Sequence, residues 1–281
     1  MDPETFRVES RERWEHAAAG WTACADTFAA ATEPVTAWLI DAVDPQPGQT
    51  ILELAAGLGD VGLRASPLVG PAGKVIVTDG AEAMVAAAKA RAEAAGAANV
   101  ETKAMEAEWI DLTAASVDGV VSRWGYMLLA DPEAALRETR RVLRPGGRVA
   151  LAAWSARERN PWLALVSDVL VAQGLGQPPA PDVPGPFSFA APGVVEELLA
   201  ATGFADGQVT TVEFPMGAAT LDDWWGHHRR QSVTLAEAVR DISPKDHYEL
   251  RDAFDSAFAP FLQPDGAVVV PASALVAAAE A

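Results

Sequence analysis

A short apolar segment that runs into a glycine-containing turn constrains the fold of this chain more than any other feature. Ile51–Leu54 is interrupted only by Glu53, the small-residue turn 55–59 follows, and Val61 begins an apolar run of helical character. This pattern is typical of a buried strand that stops at a tight loop against a helix N-terminus, where backbone amides let a ligand approach closely. A second apolar run ends at Asp79. Because a carboxylate at that place can accept hydrogen bonds from both hydroxyls of a ribose, the two segments predict a nucleoside cofactor.

Strand-like and helix-like segments alternate through the rest of the chain. The first strands are predicted over Thr50–Leu54, Lys74–Thr78, Val100–Lys103, Val117–Ser122 and Arg148–Trp154. Strands separated by helices form a parallel sheet with helices on both faces. Two further strands, Gln208–Phe214 and Gly266–Ala278, flank the aromatic and helical stretch Leu221–Phe261. The sequence therefore predicts an α/β fold with a Rossmann-like, seven-stranded, mostly parallel sheet, whose last hairpin carries a helical insertion.

This pattern divides the chain into three expected parts. Residues 1–34 are expected to form an N-terminal helical lid. Residues 35–215, completed by 266–281, are expected to form the Rossmann-like domain that binds the cofactor. Residues 216–265 are expected to form a helical cap before the last strand. The cap would cover a substrate site, because ligands of such sheets bind beyond the carboxyl ends of the strands.

Composition excludes several kinds of partner and site. The net charge of −18 repels nucleic-acid phosphates and anionic membrane surfaces. A single cysteine, Cys24, allows no intrachain disulfide and no multi-cysteine metal site, and no set of His, Asp and Glu shows metal-ligand spacing. The N-terminus lacks the features of a signal peptide, and no apolar run approaches the ~20 residues of a membrane helix. We therefore expect a cytoplasmic protein with no metal, nucleic-acid or membrane partner.

Taken together, these motifs resemble the class I S-adenosylmethionine-dependent methyltransferases of the ubiquinone/menaquinone-biosynthesis type. The resemblance is close over residues 35–155. Residues 51–59 are similar to the family's first motif, with Ala55 in place of its usual first glycine, and residues 78–84 are similar to the second. The family's fourth strand, the helix after it and the return turn are matched by residues 122–126, 131–136 and 143–147.

The resemblance implies S-adenosyl-L-methionine as the cofactor. In the family the acid of the second motif holds the ribose and the methionine packs on the adenine, which implies these roles for Asp79 and Met84. Glu106 and Ala107 occupy the place of the Asp-Ala pair that meets the adenine edge. The full set of predicted cofactor-binding residues is Glu53, Ala55, Gly57, Gly59, Asp79, Gly80, Met84, Glu106, Ala107, Arg123 and Trp124.

The charged and aromatic candidates also have purely structural interpretations. Glu53 would be an unpaired buried charge unless the ammonium group of the cofactor pairs with it, but it can also cap the following helix. Asp79 can likewise cap the helix after Ala81, and Glu106 and Glu108 can be solvated loop charges. The face of Trp124 attracts a sulfonium cation, with ordinary packing as the alternative.

His227 and His228 are the predicted catalytic residues. They lie beside two aspartates and two tryptophans in the expected cap, and neutral imidazole suits the deprotonation of a phenol, an enol or an activated carbon. The alternative is that one or both lie on the protein surface, because so polar a helix must expose part of itself.

These features predict methyl transfer from the cofactor to a small acceptor, and the aromatic cap favours an aromatic or polyketide/quinone-like one. Two alternatives remain, since fold does not determine chemistry: an enzyme that keeps the cofactor but catalyses a cyclisation or rearrangement, and a non-enzymatic cofactor-binding module. A nicotinamide dehydrogenase is disfavoured because the turn lacks a Gly-x-Gly-x-x-Gly run. The sequence leaves the methylated atom and the oligomeric state open, with a homodimer as one option.

Overall fold

The computed structural model describes residues 2–178, 180 and 183–281, and within them seven strands form one mixed sheet. The strands are β1 (Thr50–Glu53), β2 (Lys74–Asp79), β3 (Val100–Ala104), β4 (Val117–Arg123), β5 (Leu143–Trp154), β6 (Ala205–Ala218) and β7 (Val268–Glu280). Their order across the sheet is β3-β2-β1-β4-β5-β7-β6. The first five pair in parallel, and β7 runs antiparallel to both β5 and β6. The predicted Rossmann-like α/β fold is confirmed.

Helices connect or flank these strands on both faces of the sheet. They are α1 (Pro3–Ala23), α2 (Ala25–Ala31), α3 (Glu33–Val43), α4 (Asp60–Val69), α5 (Glu82–Ala94), α6 (Pro132–Val142), α7 (Pro161–Ala172), α8 (Val194–Ala201), α9 (Leu221–Gln231), α10 (Val233–Ala238) and α11 (Pro244–Phe258). Several begin with proline in the first turn, where the missing amide N–H is not needed for the helix. In the part of the chain that the structure describes, no helix is both long and apolar enough to cross a membrane.

The stretch Leu221–Phe261, which the sequence predicted to be helical, is divided into the separate helices α9, α10 and α11 and a short terminal turn. Ser232 and Ser243 interrupt it and start the next two helices. Their hydroxyl oxygens accept hydrogen bonds from the amides of Leu235 and Asp246, both at 3.2 Å. Because a serine at this position satisfies an amide that the first helical turn leaves free, each one begins a new helix.

The outer hairpin is longer than the predicted strands. β6 begins at Ala205, β7 ends at Glu280, and these two residues pair with each other across the hairpin. β6 is the edge strand of the sheet, and most of its first residues are exposed. Backbone pairing, and not an apolar side-chain pattern, therefore sets its start, which is why the pattern predicted Gln208. β5 likewise begins at Leu143, ahead of the predicted Arg148, because Leu143 pairs with β4.

The apolar runs of the inner strands form the core between the two helical layers. Ile51, Val75, Val120 and Val149 are fully buried, as expected for parallel strands that are covered on both faces. In the register of the sheet, Glu53 at the end of β1 is level with residues near the ends of β2 and β4. The carboxyl ends of these three strands therefore meet at one edge, and the predicted cofactor residues follow them.

Helix α1 links two distant parts of the molecule, since it packs on both α5 and α9. Gly20 permits the close approach to α9, because a Cβ at this position would lie 2.0 Å from the carbonyl oxygen of Arg230. Beside it, the indole Nε1 of Trp21 donates a hydrogen bond of 3.1 Å to the carbonyl oxygen of Gln231. The N-terminal helix thus joins the second strand–helix unit to the helices inserted before β7.

Candidate cofactor and acceptor site

Glu53 ends β1 in the interior and is only 1% exposed. Its two carboxylate oxygens accept hydrogen bonds from the amides of Val61, at 3.2 Å, and Gly62, at 2.7 Å. A Cβ at Gly62 would lie 2.6 Å from this carboxylate, so only glycine leaves room for the contact. Burial is the main cause that raises the pKa of Glu53 to about 8. These two contacts are the helix cap that the alternative interpretation predicted, and the pairing of Glu53 with the cofactor stays a prediction.

The turn after β1 has a left-handed backbone at several positions. Gly57 and Gly59 have φ angles of 54° and 76°, which glycine adopts without strain. Ala55 also has a positive φ, 47°, although it carries a side chain. The room for its methyl group comes from Gly125 after β4, where a Cβ would lie 2.6 Å from the Cβ of Ala55. The departure from the usual glycine is thus accommodated by a second glycine.

Asp79 joins the first two motifs at the end of β2. One carboxylate oxygen accepts a hydrogen bond from the amide of Gly57 at 2.8 Å, and the other accepts from the amide of Ala81 at 3.0 Å. Burial is the largest cause that raises the pKa of Asp79 to about 6. Next to it, a Cβ on Gly80 would lie 3.0 Å from a carboxylate oxygen of Glu106. The structure therefore brings Gly57, Asp79, Gly80 and Glu106 together, as the motif positions require.

Helix α1 lies along this same edge through three charged side chains. Arg11 pairs with Glu106 at 3.3 Å, and Arg7 pairs with Glu108. Glu15 accepts hydrogen bonds from the first amides of α5, including that of Ala83 at 2.9 Å. Glu106 is half-buried, and burial raises its pKa. Glu108 is buried, so the interpretation of the two glutamates as solvated loop charges is wrong for Glu108.

Met84 and Ala107 lie in the interior beside these carboxylates. Met84 packs in an apolar cluster with Leu58 of the turn and with Ala17 and Ala18 of α1. The predicted adenine-contacting methionine is therefore placed between the turn and the N-terminal helix.

Arg123 at the end of β4 is tied to the protein by several polar contacts. Its guanidinium donates to the hydroxyls of Thr32, at 2.8 Å, and Thr36, at 2.7 Å, and it forms an ion pair with Asp60. Asp60 also pairs with Arg91 of α5. The Arg123 side chain therefore connects α3 and α4 beneath the turn. Its role in cofactor binding stays a prediction.

Trp124 follows with a left-handed backbone, at φ 62°, which is uncommon for a bulky residue. Its ring stacks on Trp154 with centroids 4.2 Å apart, and Phe28 lies edge-on at 5.5 Å. These contacts are the packing that the alternative interpretation predicted. The indole Nε1 of Trp124 is buried, with no hydrogen-bond partner in the part of the chain that the structure describes. A strained backbone together with an unpaired polar atom is typical of functional sites.

Ser122 is a candidate that the sequence pattern did not reveal. Its hydroxyl is buried at the end of β4 and has no hydrogen-bond partner among the described residues. A Cβ on Gly125 would lie 2.5 Å from this hydroxyl oxygen and 2.6 Å from the Cβ of Ala55. Because both lie against Gly125, Ser122 is close to Ala55 in the turn after β1. A serine in a strand carries no special signal in a sequence, and only its burial and lack of a partner draw attention to it.

An aromatic pocket lies between α2, α7, β6 and α9. We define it by its lining residues: Cys24, Thr27, Phe28, Ala31, Trp162, Met216, Gly217, Trp224, His227, His228 and Gln231. None of these described lining residues is Asp, Glu, Lys or Arg. The space inside is about 20 Å³, which is room for about one water molecule. Phe28 and Trp154 connect the pocket to Trp124, with centroids of Trp154 and Trp162 5.0 Å apart.

The two predicted catalytic histidines both line this pocket, in different environments. His228 is 4% exposed, and burial, with a smaller effect of His227, lowers its pKa to about 3. It is surrounded by the rings of Trp162, Trp224 and two phenylalanines. His227 is half-buried, and burial also lowers its pKa. The interpretation of both as surface residues is wrong for His228. The spacing of Trp224 and His228, one helical turn apart, was the signal for a buried face.

A search for groups of His, Cys, Asp and Glu that could hold a metal ion finds none among the residues that the structure describes.

Comparison with known proteins supports the class that the fold and the site define. The sequence profile of the ubiE/COQ5 methyltransferase family matches residues 35–164. Nocamycin O-methyltransferase from Saccharothrix syringae is 30% identical over 235 residues, which cover 75% of this chain and 83% of that protein. The ubiquinone/menaquinone biosynthesis C-methyltransferase UbiE from Acidiphilium cryptum is 39% identical over 107 residues. That match covers 38% of this chain and 42% of the UbiE protein, so the chain spans less than half the length of this relative.

Solved structures share the fold at lower identity. The YcgJ protein from Bacillus subtilis superposes with a TM-score of 0.58 at 19% identity, over 87% of this chain and 97% of that protein. At such identity the likeness concerns the fold alone.

A strand, turn and helix unit with an acidic residue at the end of the next strand is typical of nucleoside-cofactor proteins of the Rossmann-like class. Within that class, the chain belongs to the class I S-adenosylmethionine-dependent methyltransferases, and S-adenosylmethionine is its cofactor. The predictions of family, enzyme class and cofactor are confirmed. The residues present fit this cofactor: apart from its chain neighbours, no described residue has an atom within 4 Å of where a Cβ on Gly57 would be. The buried Ser122 hydroxyl also has no partner among the described residues.

Proposed function

We propose that this methyltransferase methylates an oxygen of a small, uncharged acceptor that binds in the aromatic pocket, the acceptor being aromatic or polyketide/quinone-like. The observation that carries the proposal is the pocket itself, because aromatic rings form much of its lining and none of its described lining residues is Asp, Glu, Lys or Arg. The likeness to a protein named as an O-methyltransferase, over most of both chains, supports oxygen as the methylated atom.

The cofactor would lie across the carboxyl ends of β1, β2 and β4. When bound, it supplies an electrophilic methyl group on a sulfonium sulfur. We propose that Asp79 holds the ribose hydroxyls while its amide contacts keep the turn at Gly57 in place. Glu53 would pair with the ammonium group, and the segment of Glu106 and Ala107 would meet the adenine. Gly80 leaves room for the carboxylate of Glu106, and Gly59 leaves room for the side chains of Val77 and Ala88.

The region after β4 would receive the reacting groups. The stacked rings of Trp124 and Trp154 present aromatic faces, and a cation beside such a face gains about 0.5–2 kcal/mol. Arg123 lies beside Trp124, with its guanidinium carbon 5.0 Å from the ring centroid. Because Arg123 is already paired with Asp60, we propose that it shapes the site and balances the nearby carboxylates.

An uncharged acceptor follows from the walls of the pocket. An ionised group in such a place would be stripped of water with no partner of opposite charge, which is strongly unfavourable. Aromatic rings offer a planar apolar acceptor large contact areas and edge-to-face packing, worth about 0.5–1.5 kcal/mol for each pair. Held in line, an acceptor oxygen gains most from positioning, up to about 7–11 kcal/mol of the barrier.

We propose different roles for the two histidines. His228 stays neutral over the ordinary pH range, because burial holds its pKa near 3. So weak a base accepts a hydrogen bond more readily than a proton, which makes His228 a positioning residue. His227 is half-buried, and burial and the charge of Arg230 lower its pKa, which the carboxylate of Asp223 offsets only in part. The neutral form, which can accept a proton, therefore prevails at pH 7. We propose that His227 accepts the hydroxyl proton and passes it to solvent.

Access to the pocket requires movement, since the space inside holds about one water molecule. We propose that residues 1–34 act as a lid and residues 216–265 as a cap. Their connection through Trp21 and Gln231 couples the opening of one to the other. The single cysteine, Cys24, is a free thiol, which agrees with the reducing cytoplasmic location that we propose.

The test begins with calorimetric titration of the protein with S-adenosylmethionine and S-adenosylhomocysteine, and with NADH as the control. We expect micromolar binding of the first two and none of NADH. Incubation with a panel of phenols and enols, followed by mass spectrometry, should then show the gain of one methyl group. His227→Gln should slow turnover, while the exposed His16→Gln should not. Binding without methylation of any hydroxyl compound would contradict the proposed oxygen acceptor.

A further inference from the structure

Within residues 2–178, 180 and 183–281, three ring nitrogens of side chains that line the aromatic pocket have no hydrogen-bond partner. They are the indole Nε1 of Trp162, the indole Nε1 of Trp224 and the Nε2 of His228, and all are buried. The rings lie close together, with the His228 centroid 4.5 Å from that of Trp224 and 6.0 Å from that of Trp162. Since buried polar atoms are nearly always paired in folded proteins, three unpaired atoms around one cavity indicate a missing polar occupant.

The chemistry of these atoms describes that occupant. An indole nitrogen only donates a hydrogen bond, so Trp162 and Trp224 together offer two donors. A neutral imidazole with its proton on Nδ1 offers Nε2 as an acceptor. A hydroxyl group has one hydrogen to donate and two lone pairs to accept, and it therefore satisfies all three atoms. The space of about 20 Å³ inside the pocket is enough for one hydroxyl oxygen, which is about as large as a water molecule.

We propose that Trp162, Trp224 and His228 form a hydroxyl-binding site that holds the acceptor by a phenolic or enolic hydroxyl. This inference deepens the proposed function and rests on it for the assignment of the pocket to the acceptor. The hydroxyl donates to His228 Nε2 and accepts from the two indoles. The rest of the acceptor extends past Phe28 toward Trp124, and displaces the surrounding side chains as the pocket opens.

The charges around the site support a neutral hydroxyl over other groups. A carboxylate or an ammonium group would find no counter-ion among the described lining residues. A carbonyl or an ether oxygen would satisfy the indoles but leave His228 Nε2 without a donor. The bound hydroxyl uses its hydrogen and both lone pairs in these three bonds, so it anchors the acceptor. The oxygen that takes the methyl group is a second one on the acceptor, on the side toward Trp124.

Three fluorinated probes test these hydrogen bonds in the full-length protein by ¹⁹F NMR titration, with and without S-adenosylhomocysteine. 4-Fluorophenol has the hydroxyl, 4-fluoroanisole keeps only the oxygen acceptor, and 4-fluorotoluene has neither. We expect 4-fluorophenol to bind about 10-fold more tightly than 4-fluorotoluene, with 4-fluoroanisole between them, as hydrogen bonds to buried polar groups suggest.

Variants assign the preference to the proposed atoms. Trp162→Phe and Trp224→Phe keep an aromatic ring but remove one donor, and His228→Phe removes the acceptor. Each should reduce the preference for 4-fluorophenol over 4-fluorotoluene at least threefold, with little change for 4-fluorotoluene. Tyr248→Phe removes a hydroxyl from the surface of α11, where Tyr248 is 73% exposed, and is the matched control. Circular dichroism shows whether each variant folds, and any one of the three that folds suffices.

Equal binding of all three probes, or a preference unchanged in the folded variants, would overturn the hydroxyl-binding site. Equal binding of 4-fluorophenol and 4-fluoroanisole would also overturn it, because the bond to His228 would then be absent. No binding of any probe would refute it as well. Failure of S-adenosylhomocysteine to bind would instead count against the proposed function. The probe preference measured without S-adenosylhomocysteine would then still test the hydroxyl-binding site.

Discussion

Cofactor binding should release a proton from Glu53 if this carboxylate pairs with the ammonium group of the cofactor. In the free protein Glu53 is buried at the end of β1, and its environment strongly favours the protonated form. An ammonium group beside it would favour the ionised form. The alternative, in which Glu53 only caps α4 through the amides of Val61 and Gly62, leaves its protonation unchanged on binding.

The size of the effect follows from the pKa of Glu53, which burial raises to about 8. At pH 7 about nine in ten free molecules then carry the proton, so pairing should release about 0.9 proton for each cofactor bound.

The same raised pKa of Glu53 affects the stability of the fold. Because the pKa is raised from its ordinary value of 4.5, the stability that Glu53 contributes is present below pH 4.5 and is lost as the pH rises through 8. The loss is of the order of 5 kcal/mol.

Calorimetric titration with S-adenosylhomocysteine at pH 7 measures the released proton. The observed enthalpy is compared between phosphate and Tris, whose ionisation enthalpies differ, and its slope gives the number of protons. Glu53→Gln is the matched variant, since its side-chain oxygen can still accept from one amide but cannot ionise. We expect no proton release from it and an affinity lower by about 1.5–3 kcal/mol. Glu249→Gln on the surface of α11 is the control and should behave as the wild type.

Two results would refute this reasoning about Glu53. An enthalpy that is the same in both buffers would mean that Glu53 keeps its proton and only caps α4. Equal proton release by the wild type and by Glu53→Gln would assign the proton to another group, of which Asp79 is the nearest candidate, with its pKa raised to about 6 by burial.

Three further measurements test the turn, the ribose site and the pocket. Asp79→Ala should weaken the binding of S-adenosylhomocysteine by about 1.5–3 kcal/mol, because a charged acceptor is lost; calorimetry with unchanged affinity would remove Asp79 from the ribose site. Ala55→Gly should raise the free energy of unfolding by up to about 1 kcal/mol in urea, since glycine relieves the strain of φ 47°; a less stable variant would show that this strain is not significant. The pKa of His228 is lowered to about 3, so the stability that its neutral form contributes is present above pH 6.5 and is lost as the pH falls toward 3, by up to about 1.4 kcal/mol for each pH unit. Urea unfolding at pH 7 and pH 4.5 should therefore show a smaller difference for His228→Phe than for the wild type, and identical differences would contradict the burial of a neutral imidazole.

Much of the cofactor region was predictable because its signals are local. The apolar run before Glu53, the small-residue turn and the position of Asp79 each encode a backbone conformation within a few residues. Parallel strands with short turns then bring their carboxyl ends to one edge without further information. The same local information left Glu53 ambiguous, since a cofactor contact and a helix cap need the same residue at the same place.

The N-terminal helix shows what local patterns do not contain. Arg7 and Arg11 contact carboxylates that are 101 and 95 residues away in the chain. Nothing in the spacing of either segment indicates this pairing, because it depends on how the helix crosses the finished sheet. Glu15 likewise reads as a surface residue in the sequence, although it caps α5.

The histidines show the same division within one helix. The periodicity that places Trp224 and His228 on one face was present in the sequence, but the polar residues around them suggested exposure. Only the packing of α9 against α7 and α11 makes that face an interior. The sequence by itself determined the parallel strands of the cofactor half, its turn and the class of cofactor, because these depend on local backbone preferences. The tertiary structure alone decided which charges are buried, which helix covers the cofactor edge and where three unpaired ring nitrogens meet. Those outcomes arise from contacts between segments that are far apart in the chain.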